Sequence, residues 1–166
     1  YFQLEEWTRG IDLAESLIAN HPDYLDAYFF KANYALRAGR TQLAVRTFED
    51  ILNRDPSRAV ANSEAYKGLA RARFPARAYQ KRLPEVHRSL ARLYSLSGDA
   101  MRAEEHAARW RDLTDEGEAH LFVAESALSR KDWDKAMEAL TLAGERVDTE
   151  ELKGRLRLKR GMVLYN

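Results

Sequence analysis

The chain has 166 residues, 45% of them apolar and 32% charged, with 27 basic against 26 acidic side chains. That balance excludes a disordered polymer, and no apolar run approaches the roughly 18 residues of a membrane-spanning helix. Cysteine is absent, which excludes disulfides and thiolate-held zinc or iron–sulfur sites and is compatible with either the cytoplasm or the periplasm.

Tyr1-Phe2-Gln3 reads as the remnant of a cleavable tag. In residues 4–22, Leu4, Trp7, Ile11, Ala14 and Ile18 recur at spacings of three and four, so an amphipathic helix is expected there. Residues 25–56 read as two helices. In the first, Tyr28 and Phe29 are followed by Ala32 and Ala35, small residues that let a second helix axis approach closely. Gly39 is placed to end that helix in the left-handed conformation, and Thr41 to cap the next. Pro22 and Pro56 lie 34 residues apart at expected boundaries, where a missing amide donor costs least. The same offset relates Gly10 to Ala44, Ile11 to Val45, Ala14 to Phe48, Leu17 to Ile51 and Ile18 to Leu52, so the chain is internally repetitive.

Residues 57–83 depart from that period. Tyr66, Leu69 and Ala70 fit a first helix, but Phe74 to Leu83 is short and interrupted by Pro75. A stunted helix or irregular loop is expected there, followed by a boundary at Pro84. The segment reads either as a degenerate repeat without a special role or as a place where the stack changes curvature or receives a partner. Residues 84–113 and 117–144 are two further helix pairs. An offset of 33 relates His87 to His120, Leu90 to Val123, Ala91 to Ala124, Ala103 to Ala136, Ala107 to Leu140 and Trp110 to Ala143. Gly98 is an expected helix stop, and Asp99 and Asp132 are expected N-caps. Residues 149–166 read as one more helix with Leu152, Leu156 and Val163 inward, a half repeat or a cap. The chain stops inside a helical pattern and reads as an excerpt of a longer protein. The sum is an all-α chain of about nine helices.

The period, the alanines at 32, 44, 91, 103, 124 and 136, and the prolines at pair ends resemble the tetratricopeptide repeat (TPR) family, in a degenerate, bacterial-type array. The resemblance implies an α-solenoid, a right-handed superhelix of antiparallel helix pairs. It also implies a concave groove lined from the first helices. By alignment that lining is Asp26, Phe29, Asn33 and Arg37, then Glu85, Arg88, Arg92 and Leu96, then Glu118, Leu121, Glu125 and Leu128. The function implied is a non-catalytic scaffold for a protein or peptide partner. Arrays of this kind resemble those of bacterial secretion and exopolysaccharide-export machines, which leans towards the periplasm. Relatives that clamp a C-terminal carboxylate use lysines and asparagines, and of those positions only Asn33 matches.

The residues point to no catalytic set, cofactor or metal. His21, His87, His106 and His120 fall in no ligand-spaced motif, and the glycines lie scattered, outside any phosphate-binding loop. His87 and His120 fill equivalent slots and are read as packing residues between helices. Charge is uneven along the chain. Residues 57–92 hold nine bases against two acids, with a basic patch of Arg71, Arg73, Arg77, Lys81 and Arg82. Residues 112–151 hold four bases against twelve acids. This pattern suits either attraction between adjacent repeats or steering of a charged partner. Arg88 and Arg92, four apart, could grip a carboxylate or phosphate. An alternative partner is a nucleic acid or anionic polymer on the 57–92 stretch, where Tyr66, Phe74 and Tyr79 interleave the bases.

Overall fold

The structure, a computed structural model, describes residues 2–56 and 74–165, with residues 2 and 3 described by their backbone only. The described residues form eight helices and no strand: α1 (Phe2–Asn20), α2 (Leu25–Arg37), α3 (Thr41–Asn53), α4 (Ala76–Leu96), α5 (Ala100–Thr114), α6 (Gly117–Ser129), α7 (Trp133–Arg146) and α8 (Glu150–Leu164). The first helix expected around Tyr66 lies outside the described residues. Two compact units divide the chain at residues 86 and 87, so α4 contributes to both. No described helix is long and apolar enough to cross a membrane.

Three hairpins share one turn. After α2, Arg40 N–H donates to the Ala35 carbonyl at 2.8 Å and Gly39 N–H to Leu36 at 3.1 Å. After α4, Asp99 and Gly98 repeat this on Tyr94 and Ser95 at 2.9 and 3.2 Å. After α6, Asp132 and Lys131 repeat it on Ala127 and Leu128, both at 3.0 Å. These are Schellman turns, which satisfy the last carbonyls of the helix and need a left-handed residue. Gly39, Gly98 and Lys131 supply it at φ of +72°, +81° and +60°. So short a turn returns the chain beside itself and makes each pair antiparallel. The expected glycine stops at 39 and 98 are therefore found. So are two of the expected caps, for Asp99 accepts from Arg102 N–H at 3.1 Å and Asp132 from Lys135 N–H at 3.2 Å. The cap expected at Thr41 falls one residue late. Arg40 holds that place, without a side-chain cap, because the shared turn fixes the N-cap immediately after the left-handed residue.

In the first unit, α2 packs between α1 and α3. Ala27, Ala32, Ala35 and Ala44 are fully buried, with Phe29 set edge-on to Phe48 at 5.8 Å. Tyr28 donates its hydroxyl to the Pro22 carbonyl at 3.0 Å and meets the Phe74 ring edge-on at 5.1 Å. Glycine is required at residue 10, where an added Cβ would stand 2.8 Å from the Tyr34 ring.

The expected irregular segment before Pro84 is instead continuous helix, with Pro84 inside α4. A proline there removes the hydrogen bond to the Gln80 carbonyl and costs about 3 kcal/mol. Against it stands an unbroken apolar stripe at 79, 86, 90 and 93, in which Tyr79, Val86, Leu90 and Leu93 are all buried. Each contributes roughly 1.5–3 kcal/mol on burial, so packing outweighs the local penalty.

In the second unit, Leu121, Val123, Ala124, Leu140, Ala143 and Leu156 form one buried cluster. Trp110 is 1% exposed, and its indole N–H donates to Glu116 at 3.3 Å. Gly117 lets the start of α6 approach the end of α7, since a Cβ there would meet the Arg146 carbonyl at 2.7 Å.

Candidate partner-binding faces

In the first unit, the solvent face of α2 carries Asp26, Phe30, Asn33 and Arg37, spaced four, three and four apart and all exposed. Phe29, expected in the groove, belongs to the core at 2% exposure. Its slot is one residue off the exposed stripe, and the Arg82 guanidinium covers its ring at 3.9 Å. The exposed aromatic on this face is Phe30, 47% exposed, which the alignment missed. The spacing alone could have found it, because 26, 30, 33 and 37 share one helical face. Arg37 is held over the Trp7 ring at 4.9 Å.

The basic patch divides. Arg71 and Arg73 lie outside the described residues. Arg77 and Lys81, four apart on α4, are exposed. Arg82 is half-buried and ion-paired to Glu85 at 2.6 Å and to Asp26 at 3.3 Å. Lys81 and Arg82 form one wall of an open groove of about 490 Å³, with Tyr24, Asp26 and Ala78 also lining it. Tyr24 is 44% exposed, so this groove offers an aromatic face and cations together. Phe74 and Tyr79, expected beside the bases as stacking residues, are buried and stacked on one another at 6.3 Å, leaving no face for a nucleobase. Tyr66 lies outside the described residues.

In the second unit, the expected arginine grip is already occupied from within. Arg88 and Arg92 both bind the Glu118 carboxylate of α6, at 3.1 and 2.5 Å, and Arg88 also lies 5.4 Å over Trp110. Glu125, seven residues further along α6, is held the same way from α8, by Arg155 at 3.0 Å and Lys159 at 3.8 Å. Each carboxylate of α6 thus meets an i, i+4 pair of bases on a neighbouring helix. Lys135 and Arg130 close on Glu104 likewise. Here the uneven charge ties adjacent hairpins together. Leu121 is fully buried and belongs to the core, Leu128 is half-buried and Leu96 is 83% exposed. A cavity of about 290 Å³ lies between Ser95, Phe122, Glu125 and Ser129.

His87 and His120 pack between helices, as their equivalent slots suggested, whereas His21 is exposed. His120 is 4% exposed and meets Asp115 at 2.7 Å; that contact and the Arg146 guanidinium hold the Asp115 carboxyl below its ordinary range. His87 Nδ1 lies 2.9 Å from His106 Nδ1, and the His106 ring stacks on Tyr94 at 5.6 Å. Burial, with His106 and Arg109 nearby, pushes the His87 imidazole down to about 4. Among the described residues, no group of three or more histidines and carboxylates is placed to hold a metal ion.

No family model matches the chain, and no curated protein matches it. Among solved structures, a thermophilic TPR protein of Thermus thermophilus is similar at 20% identity and a TM-score of 0.45, over 99% of this chain and 94% of that one. The chain's own three matching turns and the alanine-lined cores behind them make it a set of antiparallel helix hairpins.

Proposed function

We propose that the chain is a protein-binding scaffold whose first unit receives an extended, acidic segment of a partner protein. The observation that carries this reading is the groove between the start of α2 and the first turns of α4. It combines an exposed aromatic ring at Tyr24 with an exposed cation at Lys81, and Arg82 is pre-positioned beside them. Arg82 needs no reordering to receive a carboxylate, because Phe29 and Glu85 already fix it. Its pair with Asp26 is solvent-exposed and contributes at most about 1 kcal/mol, so an incoming carboxylate can displace it. Arg77 and Lys81 extend the positive rim by one helical turn. In the second unit, by contrast, Arg88 and Arg92 hold Glu118, and their role is to join hairpins.

Selection of a random-peptide library on the immobilised protein tests this. Enriched sequences should carry Asp or Glu with an aromatic or proline residue. Their binding should fall at least tenfold in the Arg77→Glu, Lys81→Glu variant and weaken with salt. Failure to enrich peptides, or binding unchanged in that variant, would remove the groove from the account.

A further inference from the structure

The groove at Tyr24 carries charge of both signs, divided between its walls. Asp23, Tyr24 and Asp26, around the start of α2, line one wall, and Lys81 and Arg82 of α4 line the other. All five belong to the first unit. Asp23, Asp26 and Lys81 are exposed. The Arg82 guanidinium is fixed over the Phe29 ring at 3.9 Å and against Glu85 at 2.6 Å, and it pairs across to Asp26 at 3.3 Å.

That cross-pair decides what an incoming acid gains. A carboxylate that takes Arg82 displaces Asp26, so one ion pair replaces another. Asp26 then shares its wall with Asp23 and has lost its cation, and the two acids repel the newcomer. An acid alone therefore gains little at Arg82. An acid with a base beside it restores both pairs. In an extended segment successive side chains point to opposite sides, so adjacent residues reach opposite walls. Tyr24 lies between the two aspartates along the chain, and its ring, 44% exposed, attracts an ammonium or guanidinium that settles there. We infer that the partner segment carries a lysine or arginine immediately beside its acidic residue, the acid bound by Lys81 and Arg82 and the base by Asp23, Tyr24 and Asp26. The inference rests on the groove proposed above and adds the second charge that the partner must bring. It makes Asp23 and Asp26 determinants of specificity.

Calorimetric titration of the full chain at low salt with two acetylated, amidated peptides tests the inference. Both have the sequence Ser-Thr-Glu-X-Thr-Ser, with X lysine in one and glutamine in the other. The lysine peptide should bind roughly fivefold more tightly. Asp23→Asn with Asp26→Asn, two exposed positions, should erase that preference, and the glutamine peptide should bind this variant more tightly than the wild type, because Asp26 no longer competes for Arg82. Both peptides should weaken in the Arg77→Glu, Lys81→Glu variant. Equal binding of the two peptides by the wild type, with both weakened in the Arg77→Glu, Lys81→Glu variant, overturns the inference and leaves the groove standing. A preference for lysine that survives the two asparagines also overturns it, as does a lysine peptide that does not bind. Binding of both peptides unchanged in the Arg77→Glu, Lys81→Glu variant overturns the groove and the inference together.

Discussion

Arg40 stands where Asp99 and Asp132 stand in the other two hairpins, with nearly the same backbone: φ and ψ of −87° and 61°, against −83° and 79° and −85° and 81°. Both aspartates accept a hydrogen bond from the N–H three residues on, whereas Arg40 has no acceptor to offer. Arg40→Asp therefore adds a cap to α3 without moving the backbone. A cap of this kind contributes about 0.5–2 kcal/mol. Here Leu43 N–H already reaches the Arg40 carbonyl at 3.0 Å, so the new acceptor shares a donor and the lower half of that range applies, about 0.5–1 kcal/mol. Replacing a cation by an anion at a helix N-terminus adds roughly 0.3–1 kcal/mol more at low salt. Thermal unfolding followed by circular dichroism should show a rise of about 2–8 °C, given roughly 2–4 °C per kcal/mol for a chain of this size. Arg40→Ala is the control: it removes the cation but adds no acceptor, and should give the smaller gain. Equal gains for both variants, or a loss with aspartate, would refute the shared-turn reasoning.

Three further expectations concern the packing. Gly10→Ala sets a Cβ against the Tyr34 ring; overpacking of about 1–3 kcal/mol exceeds the roughly 1 kcal/mol of added helix propensity, so urea unfolding should show a net loss. Trp110→Ala should cost about 3–5 kcal/mol by the same measurement, since a fully buried indole is removed. Glu118→Gln leaves Arg88 and Arg92 without their shared anion and should lower stability by about 0.5–1 kcal/mol in low salt and by less in high salt.

The burial of His87, beside His106 and Arg109, gives the fold a pH dependence with a definite sign. His87 titrates at about 4 in the folded chain against an ordinary value of 6.5. Between those values the unfolded chain binds the proton and the folded chain does not. Stability is therefore full above about pH 6.5, falls as pH drops towards 4, and does not change further below that on this residue's account. The shift corresponds to at most about 3 kcal/mol, and solvent screening of a half-buried ring lowers that to roughly 1–2 kcal/mol. Urea titrations from pH 4 to 7 should show this decline, and His87→Phe should flatten it. A decline of the same size in the variant would place its origin elsewhere.

The hairpins were legible because their signals are local. Glycine at 39 and 98 and aspartate at 99 and 132 act within one turn of chain, and the 33- and 34-residue offsets repeat them. Lys131 was not legible as the third left-handed residue, because nothing in its own chemistry favours that conformation; only its register with Gly98 does. Pro84 misled for the opposite reason. Its local penalty is evident in the sequence, while the stripe of buried residues that outweighs it depends on tertiary packing. The candidate faces were read one residue out of phase at Phe29, since α2 has aromatics at 28, 29 and 30, and only packing decides which of them turns to solvent. The role of Arg88 and Arg92 was hidden because their partner, Glu118, lies a full repeat away along the chain.

The most direct test of the proposed groove is hydrogen–deuterium exchange of the wild-type protein with and without a library-selected acidic peptide. The account predicts added protection at residues 23–26 and 76–82, with the second unit unchanged. Protection confined to residues 87–129, or none at all, would contradict it.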